Sequence, residues 1–177
     1  VTDRLDPPRT SRRIFEGQVV SLRISEYLRP SGVVVTREVM DHPGAVVMVP
    51  VEDDHVLMVR QPREAVGRFM LELPAGKLDF PGEEPLECAR RELAEEVGRT
   101  AGTWRDLGGF YTAPAILTEF IHCFMATDLT PVDHPPVEEE EIEIVPWPLS
   151  NLDALIAQTD DAKSLIGLLR LARERSA

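Results

Sequence analysis

Residues 72–98, ELPAGKLDFPGEEPLECARRELAEEVG, decide how the rest of the chain is read. Gly76, Pro81 and Gly82 punctuate the first part as a loop. Pro85 then stands where a first helical residue is expected, a position that tolerates its fixed φ and missing N–H. Glu83, Glu84 and Glu87 fall near the positive end of the helix dipole, and Gly98 supplies a stop after the last apolar residue. Inside the helix so bounded, Glu92, Glu95 and Glu96 stand at i, i+3 and i+4 and share one face. Leu86, Ala89, Leu93 and Val97 recur on another face, which can pack inward. Carboxylates this close repel one another, and their pKa values rise unless a cation neutralises them. Arg90 and Arg91 are near in sequence, but a divalent ion answers the charge better, and oxygen-only ligands suit Mg²⁺ or Mn²⁺. An acidic run alone reads as a solvated helix face. The coincidence of a Gly-rich loop, the R-E-L-x-E-E-x-G string and an apolar opposite face points instead to metal-dependent chemistry.

Upstream, residues 1–13 read as a mobile lead-in carrying Pro7 and Pro8. Val20, Leu22 and Ile24 alternate with polar partners, Pro30-Ser31-Gly32 marks a turn, and residues 33–40 return as the second strand of a hairpin. Residues 45–51, AVVMVPV, form a continuous apolar run, the pattern of a strand buried on both faces. Residues 55–60 form the next strand, residues 61–68 a polar connection, and residues 69–73 a short strand entering the loop. Downstream, residues 104–111 and 120–126 read as strands around the turn TAPAILTE, and residues 144–147 as a closing strand. Ser150 is placed as the cap of a helix, and residues 160–175 as a final amphipathic helix with Leu165, Leu168, Leu169 and Ala172 on one stripe. Strands mixed with one central and one or two C-terminal helices give an α/β sandwich.

At 177 residues the chain is most simply one globular unit, with residues 1–43 as lead-in and hairpin and residues 44–177 as the main domain. No run is long and apolar enough for a membrane span, and VTDRLDPPRTSRR has no signal core. Cys88 and Cys123 make neither a zinc pattern nor a disulfide framework and read as small buried hydrophobes, so a cytoplasmic location is expected. The formal net charge of −12 argues against nucleic acid as a partner. It is compatible with an anionic small molecule only if metal ions held by acidic residues contact that molecule's phosphates.

The stretch resembles the Nudix box, G-x5-E-x7-R-E-U-x-E-E-x-G-U with U a bulky aliphatic residue. Glu83 leads through seven residues to Arg91, Glu92, Leu93, Ala94, Glu95, Glu96, Val97 and Gly98. Two departures stand out: six residues rather than five separate Gly76 from Glu83, and Arg99 replaces the last aliphatic residue. The resemblance implies a Nudix-type α/β/α sandwich with a mixed sheet, preceded by a small antiparallel sheet. The N-terminal strand pair, the string Glu72 to Gly76 and Pro114 look like ADP-ribose pyrophosphatases within that family. The implied reaction is hydrolysis of a nucleoside diphosphate sugar, ADP-ribose, to AMP and ribose 5-phosphate. Glu92, Glu96 and Glu95, with the carbonyl of Ala75, would hold the metal. A late-loop glutamate, Glu138 or Glu140, would assist the attacking water. Arg63, with Arg60 as alternative, matches a diphosphate contact, and Glu72 and Glu119 match positions that bind or orient the substrate. Family members are usually homodimers through their N-terminal strands, and Val19 and Arg37 align with an adenine clamp there. Where such enzymes often read S-P-G-F, this chain reads Ala113-Pro114-Ala115-Ile116. That departure keeps open a related pyrophosphatase for another nucleotide sugar or a dinucleotide. A non-catalytic ADP-ribose sensor fits less well, because Glu92, Glu95 and Glu96 are all present. A structural helical protein with a chance motif fits least.

Overall fold

The computed structural model describes residues 5–132 and 141–176. The chain divides into two compact units. One comprises the N-terminal residues to Gly44 together with Tyr111–Glu119, and the other comprises Ala45–Phe110 and the chain from Phe120 onward.

The second unit is a mixed sheet with helices on both faces. Its strands are β4 (Ala45–Glu52), β5 (His55–Arg63), β6 (Arg68–Glu72), β7 (Ala75–Lys77), β8 (Arg99–Tyr111), β9 (Phe120–Pro131) and β10 (Glu143–Pro148). Across the main path they run β10-β5-β4-β9-β8, with β6 paired to β5 and β7 to β4. β4 and β9 are parallel, and β4 is antiparallel to β5 and β7. The continuous apolar run of β4 has a direct cause: both its faces are covered. Ala45, Val47 and Val49 point into one core with Val56, Met58, Ile121, Cys123, Leu155, Leu168 and Leu171. Val46 and Met48 point into the other with Leu57, Val59, Cys88, Ala89, Leu93 and Val97. The first core takes the C-terminal helices α2 (Leu152–Gln158) and α3 (Ala162–Ser176), and the second takes α1 (Pro85–Val97). Period-two alternation along each strand thus sorts side chains between the two helical layers.

The first unit carries β1 (Thr10–Glu16), β2 (Ser21–Leu28) and β3 (Val34–Asp41), an antiparallel sheet in that order. The hairpin expected from residues 19–40 is present. The lead-in is not wholly irregular, however: Thr10–Arg13 pair with β2, and Ser11 and Ser25 share a hydroxyl hydrogen bond of 2.9 Å. Every residue of β1 is exposed, so no apolar alternation marks it in the sequence.

Other elements differ from expectation for local reasons. β5 runs to Arg63 because β6 pairs with it there, followed by one 3-10 turn at Glu64–Val66. The three-residue β7 lies inside what reads as a loop, held by β4. β9 continues past residue 126 to Pro131. Ser150 does not cap α2; it lies in a 3-10 turn, Leu149–Asn151, and Asn151 precedes the helix without a side-chain cap. In α3 the buried stripe is Ser164, Gly167, Leu168 and Leu171, whereas Leu169 is exposed. Gly167 decides this register, because a Cβ there would lie 2.5 Å from Leu73 Cδ1.

Candidate active site

Helix α1 forms as its sequence requires. Pro85 occupies the first turn, and Gly98 adopts φ 64°, ψ 35°, its N–H closing on the carbonyls of Ala94 and Leu93. Cys88, Ala89, Leu93 and Val97 are buried, which fixes the helix rotation and turns Glu92 and Glu96 toward the loop strand β7. Glu96 is itself buried, and its Oε2 accepts a 3.0 Å hydrogen bond from the Ala75 N–H. Gly76 is the glycine this packing demands: a Cβ there would lie 1.9 Å from Cδ of Glu92. The loop therefore passes directly over the carboxylates, and only a residue without a side chain allows it.

Arg91 ties the acids together. Its Nη1 donates to Glu92 Oε1 at 2.7 Å and to Glu95 Oε2 at 2.9 Å, and its Nε donates to Glu83 Oε1 at 3.1 Å. The guanidinium is held above its ordinary pKa first by hydrogen bonding to Glu83, against an opposing cost of burial. Reciprocally, that hydrogen bond holds the Glu83 carboxyl below the usual range. Cys88 lies beneath, its thiol donating to the Lys77 carbonyl at 3.3 Å. Burial, then the charges of Glu83 and Glu92, push this thiol up to about 12, and burial pushes Cys123 up to about 11. Both are free and buried, as expected of small core residues.

A second charged cluster joins β5 and β6 to the start of α3. Glu72 is 1% exposed and takes both Nε and Nη2 of Arg63, at 2.8 and 2.7 Å. Its Oε2 also accepts from Lys163, which bonds Asp161 at 2.9 Å. Burial is the largest single influence on Glu72 and would raise its pKa; Arg63 and Lys163 together outweigh it, so the carboxyl sits below its usual range. The charge of Glu96 contributes to the raised pKa of Arg63, which places the two in electrostatic reach. Strand alternation separates the two arginine candidates: Arg63 shares the α1-side face with Val59, whereas Arg60 is on the opposite face, over the Phe69 ring at 4.3 Å and bonded to Glu143.

In the first unit, Glu119 accepts from Thr112 at 2.6 Å and lies 3.5 Å from Nδ1 of His42. Pro114 is exposed in the turn, and the Ile116 carbonyl and Thr118 N–H bond Met40 of β3. Val19 and Arg37 are exposed, the latter bonded only locally to the Thr36 carbonyl. Glu138 and Glu140 lie outside the described residues. Sequence reasoning missed Lys163, Asp161 and Ser164, the last of which accepts the Leu73 N–H at 2.7 Å. The one signal is at Ser164, a polar residue on the inner stripe of α3; Lys163 and Asp161, at and before its first turn, carry none.

The sandwich, the carboxylate-bearing helix and the glycine-bearing loop over it define a Nudix domain, and a NUDIX domain family model matches residues 40–168. The chain belongs to the Nudix hydrolase family. It is 41% identical over 136 residues to an ADP-ribose pyrophosphatase of Mycobacterium tuberculosis, covering 76% of this chain and 66% of that protein, just under two thirds of its length. It is 36% identical over 157 residues to an ADP-ribose pyrophosphatase of Bacillus subtilis, covering 86% and 84%. A crystal structure of an ADP compounds hydrolase superposes with a TM-score of 0.86 at 25% identity, over 99% of this chain and 97% of that one.

Nudix hydrolases generally need a divalent metal. Among the described residues, no three His, Cys, Asp or Glu side chains form a ready metal cage. The donor set still fits such an ion. Mg²⁺ is commonly held by one or two carboxylates, with water and substrate phosphates completing the shell. Glu92 and Glu96 face the β7 backbone at the close approach that Gly76 permits.

Proposed function

We propose that the chain hydrolyses the diphosphate of ADP-ribose, giving AMP and ribose 5-phosphate, with Mg²⁺ or Mn²⁺. The observation that carries this reading is the arrangement of Glu92, Glu95 and Glu96 beneath the Gly76 loop, beside the Arg63–Glu72 pair. The names of the two bacterial relatives support the choice of substrate. When bound, a divalent ion neutralises charge on the diphosphate oxygens and makes water more acidic. Glu92, Glu96 and the Ala75 carbonyl would hold it, with Glu95 alongside. Arg63 offers a guanidinium to the diphosphate, kept in place by Glu72, since its Nε–Nη2 edge is occupied and the Nη1 edge faces away. Glu138 or Glu140 takes the proton of the attacking water. Glu119, Pro114, Val19 and Arg37 bind the nucleoside end, and the exposed N-terminal strands pair two copies into a homodimer. A cytoplasmic location belongs to the same reading.

A specific observation favours a second substrate: the Ala113-Pro114-Ala115-Ile116 turn, together with a GDP-mannose pyrophosphatase relative of Yersinia enterocolitica at 38% identity over 110 residues. Product analysis with Mg²⁺ on ADP-ribose, GDP-mannose, ADP-glucose, NADH and diadenosine polyphosphates decides. Fastest release of AMP and ribose 5-phosphate from ADP-ribose is expected. Preference for another diphosphate would discard the nucleoside-end residues and keep the metal assignment. Binding without cleavage would make the protein a sensor. Glu138→Gln and Glu140→Gln, assayed separately, identify the base; equal mild losses would mean neither is one.

A further inference from the structure

Lys163 has no role in the assignments above, yet it is largely covered, its side chain 15% exposed. It stands in the first turn of α3, and its Nζ donates to Oε2 of Glu72 and, at 2.9 Å, to Oδ2 of Asp161. Asp161 is fixed in turn by the helix start: the same oxygen accepts the Ser164 N–H at 3.0 Å and the Ser164 hydroxyl at 2.5 Å. At the other end of this chain of bonds is Arg63. Its Nε and Nη2 fork onto Oε1 and Oε2 of Glu72, and among the described residues its side chain donates to no other acceptor. Exposure rises along the chain, from 15% at Lys163 and 2% at Glu72 to 39% at Arg63. One end is anchored in α3 and the other is open to a ligand.

The docking of α3 has its own fastenings at this point. Leu73 N–H donates to the Ser164 hydroxyl at 2.7 Å, Gly167 lets Leu73 approach the helix, and Leu168 and Leu171 fill the core. What Lys163 adds is an orientation for Glu72. Glutamate and arginine are both long, rotamer-rich side chains, and a pair held only by each other swings together. A third partner from a separate element fixes the carboxylate, and a bidentate fork copies that orientation onto the guanidinium.

We infer that Lys163 is a positioning residue for the reaction: through Glu72 it holds the Arg63 guanidinium with its remaining edge toward the diphosphate of the substrate. The inference rests on the proposed reading of Arg63 as the diphosphate contact, and not on the identity of base or sugar. Lys163 touches no substrate atom, so its whole effect on turnover passes through Arg63.

A double-mutant cycle tests this. Steady-state kinetics with Mg²⁺ are measured on wild type, Arg63→Met, Lys163→Met and the double variant, with ADP-ribose and with GDP-mannose. Arg63→Met should lower kcat/KM about a hundredfold, the scale of a lost hydrogen bond between charged groups. Lys163→Met should lower it about tenfold, with a raised KM, because Arg63 remains but is no longer held. In the Arg63→Met background, Lys163→Met should change kcat/KM less than about twofold, since nothing is left to position. A purely structural defect reduces the amount of active enzyme, which lowers kcat, leaves KM unchanged and acts equally in both backgrounds. That pattern overturns the assignment, as does an unchanged kcat/KM in Lys163→Met. If Lys163→Met does not fold, Lys163→Gln takes its place in the cycle under the same criteria. An undiminished kcat/KM in Arg63→Met overturns the diphosphate contact and the role of Lys163 with it. A wild-type preference for GDP-mannose sinks only the ADP-ribose reading, and the cycle on GDP-mannose then tests Lys163, since the diphosphate is common to both.

Discussion

Two charged clusters flank the sheet, one on α1 and one joining β5, β6 and the start of α3, and their stoichiometries are opposite. In one, a single guanidinium, Arg91, is shared among the three carboxylates of Glu83, Glu92 and Glu95. In the other, a single carboxylate, Glu72, is shared between two cations, Arg63 and Lys163. The first set carries a surplus of negative charge and is partly open, with Glu95 38% exposed in its side chain. The second is balanced by Asp161 on Lys163 and centres on a buried carboxylate, Glu72 being 2% exposed in its side chain and Arg63 39%. A partly open cluster with surplus charge can take up an external ion. A balanced one built on a buried carboxylate holds a side chain in place. The lesson is that the acids of one short stretch, Glu72 to Glu96, divide by the cations they share: Glu83, Glu92 and Glu95 meet on Arg91, whereas Glu72 joins Arg63 and Lys163.

The comparison breaks first at Glu96. Glu96→Gln keeps an acceptor for the Ala75 N–H, so circular dichroism and Tm should change little. Turnover with Mg²⁺ should fall by about two orders of magnitude or more, because a charged ligand is lost at the metal. Near-wild-type rates would end the metal assignment.

Next in size is Glu72→Ala, which removes the buried carboxylate shared by Arg63 and the largely covered Lys163. Urea unfolding should show a loss of about 3 kcal/mol. The same carboxylate gives a pH signature. A group held below its unfolded pKa contributes stability that is full above the unfolded value, near 4, and is lost as the pH falls through the lower folded one. Wild-type stability should therefore drop more steeply than that of Glu72→Gln below about pH 4.

Arg91→Met sharpens the contrast from the other side. Removing the shared cation leaves Glu83, Glu92 and Glu95 repelling one another, and metal-free stability should fall by about 1–2 kcal/mol. Added Mg²⁺ should then raise Tm more than it does in wild type. An equal rise in both proteins would show that Arg91 and the metal do not compensate the same carboxylates.

The smallest effect is expected at Arg99, which departs from the family pattern. Its guanidinium forks onto Glu52 of β4 at 2.9 and 3.1 Å, a partly exposed pair. Arg99→Val restores the aliphatic residue and should shift stability by less than about 1 kcal/mol with activity unchanged. A large loss of activity would mean that the pair positions the end of α1.

The sandwich was legible because its causes are periodic. Continuous apolar runs in β4 and β5 and the 3-to-4 spacing in α1 are set by burial on two faces and on one stripe. What lacked periodicity was missed. β1 is exposed throughout, β7 is three residues long, and α3 has its inner stripe set by Gly167 against Leu73, not by the leucines that dominate its composition.

The sequence by itself determined the acidic face of α1, its start at Pro85, its stop at Gly98 and the inward stripe opposite, since helix geometry places residues three and four apart together whatever surrounds them. Tertiary structure alone decided which acid has which counter-ion. Arg91 takes the carboxylates within its own helix reach. Glu72 takes Arg63 across a strand pair and Lys163 from a helix 91 residues away in the chain. Strand register also decided that Arg63 lies on a face that Arg60 does not share. Such partnerships depend on which surfaces meet when sheet and helices pack, and no local spacing encodes them.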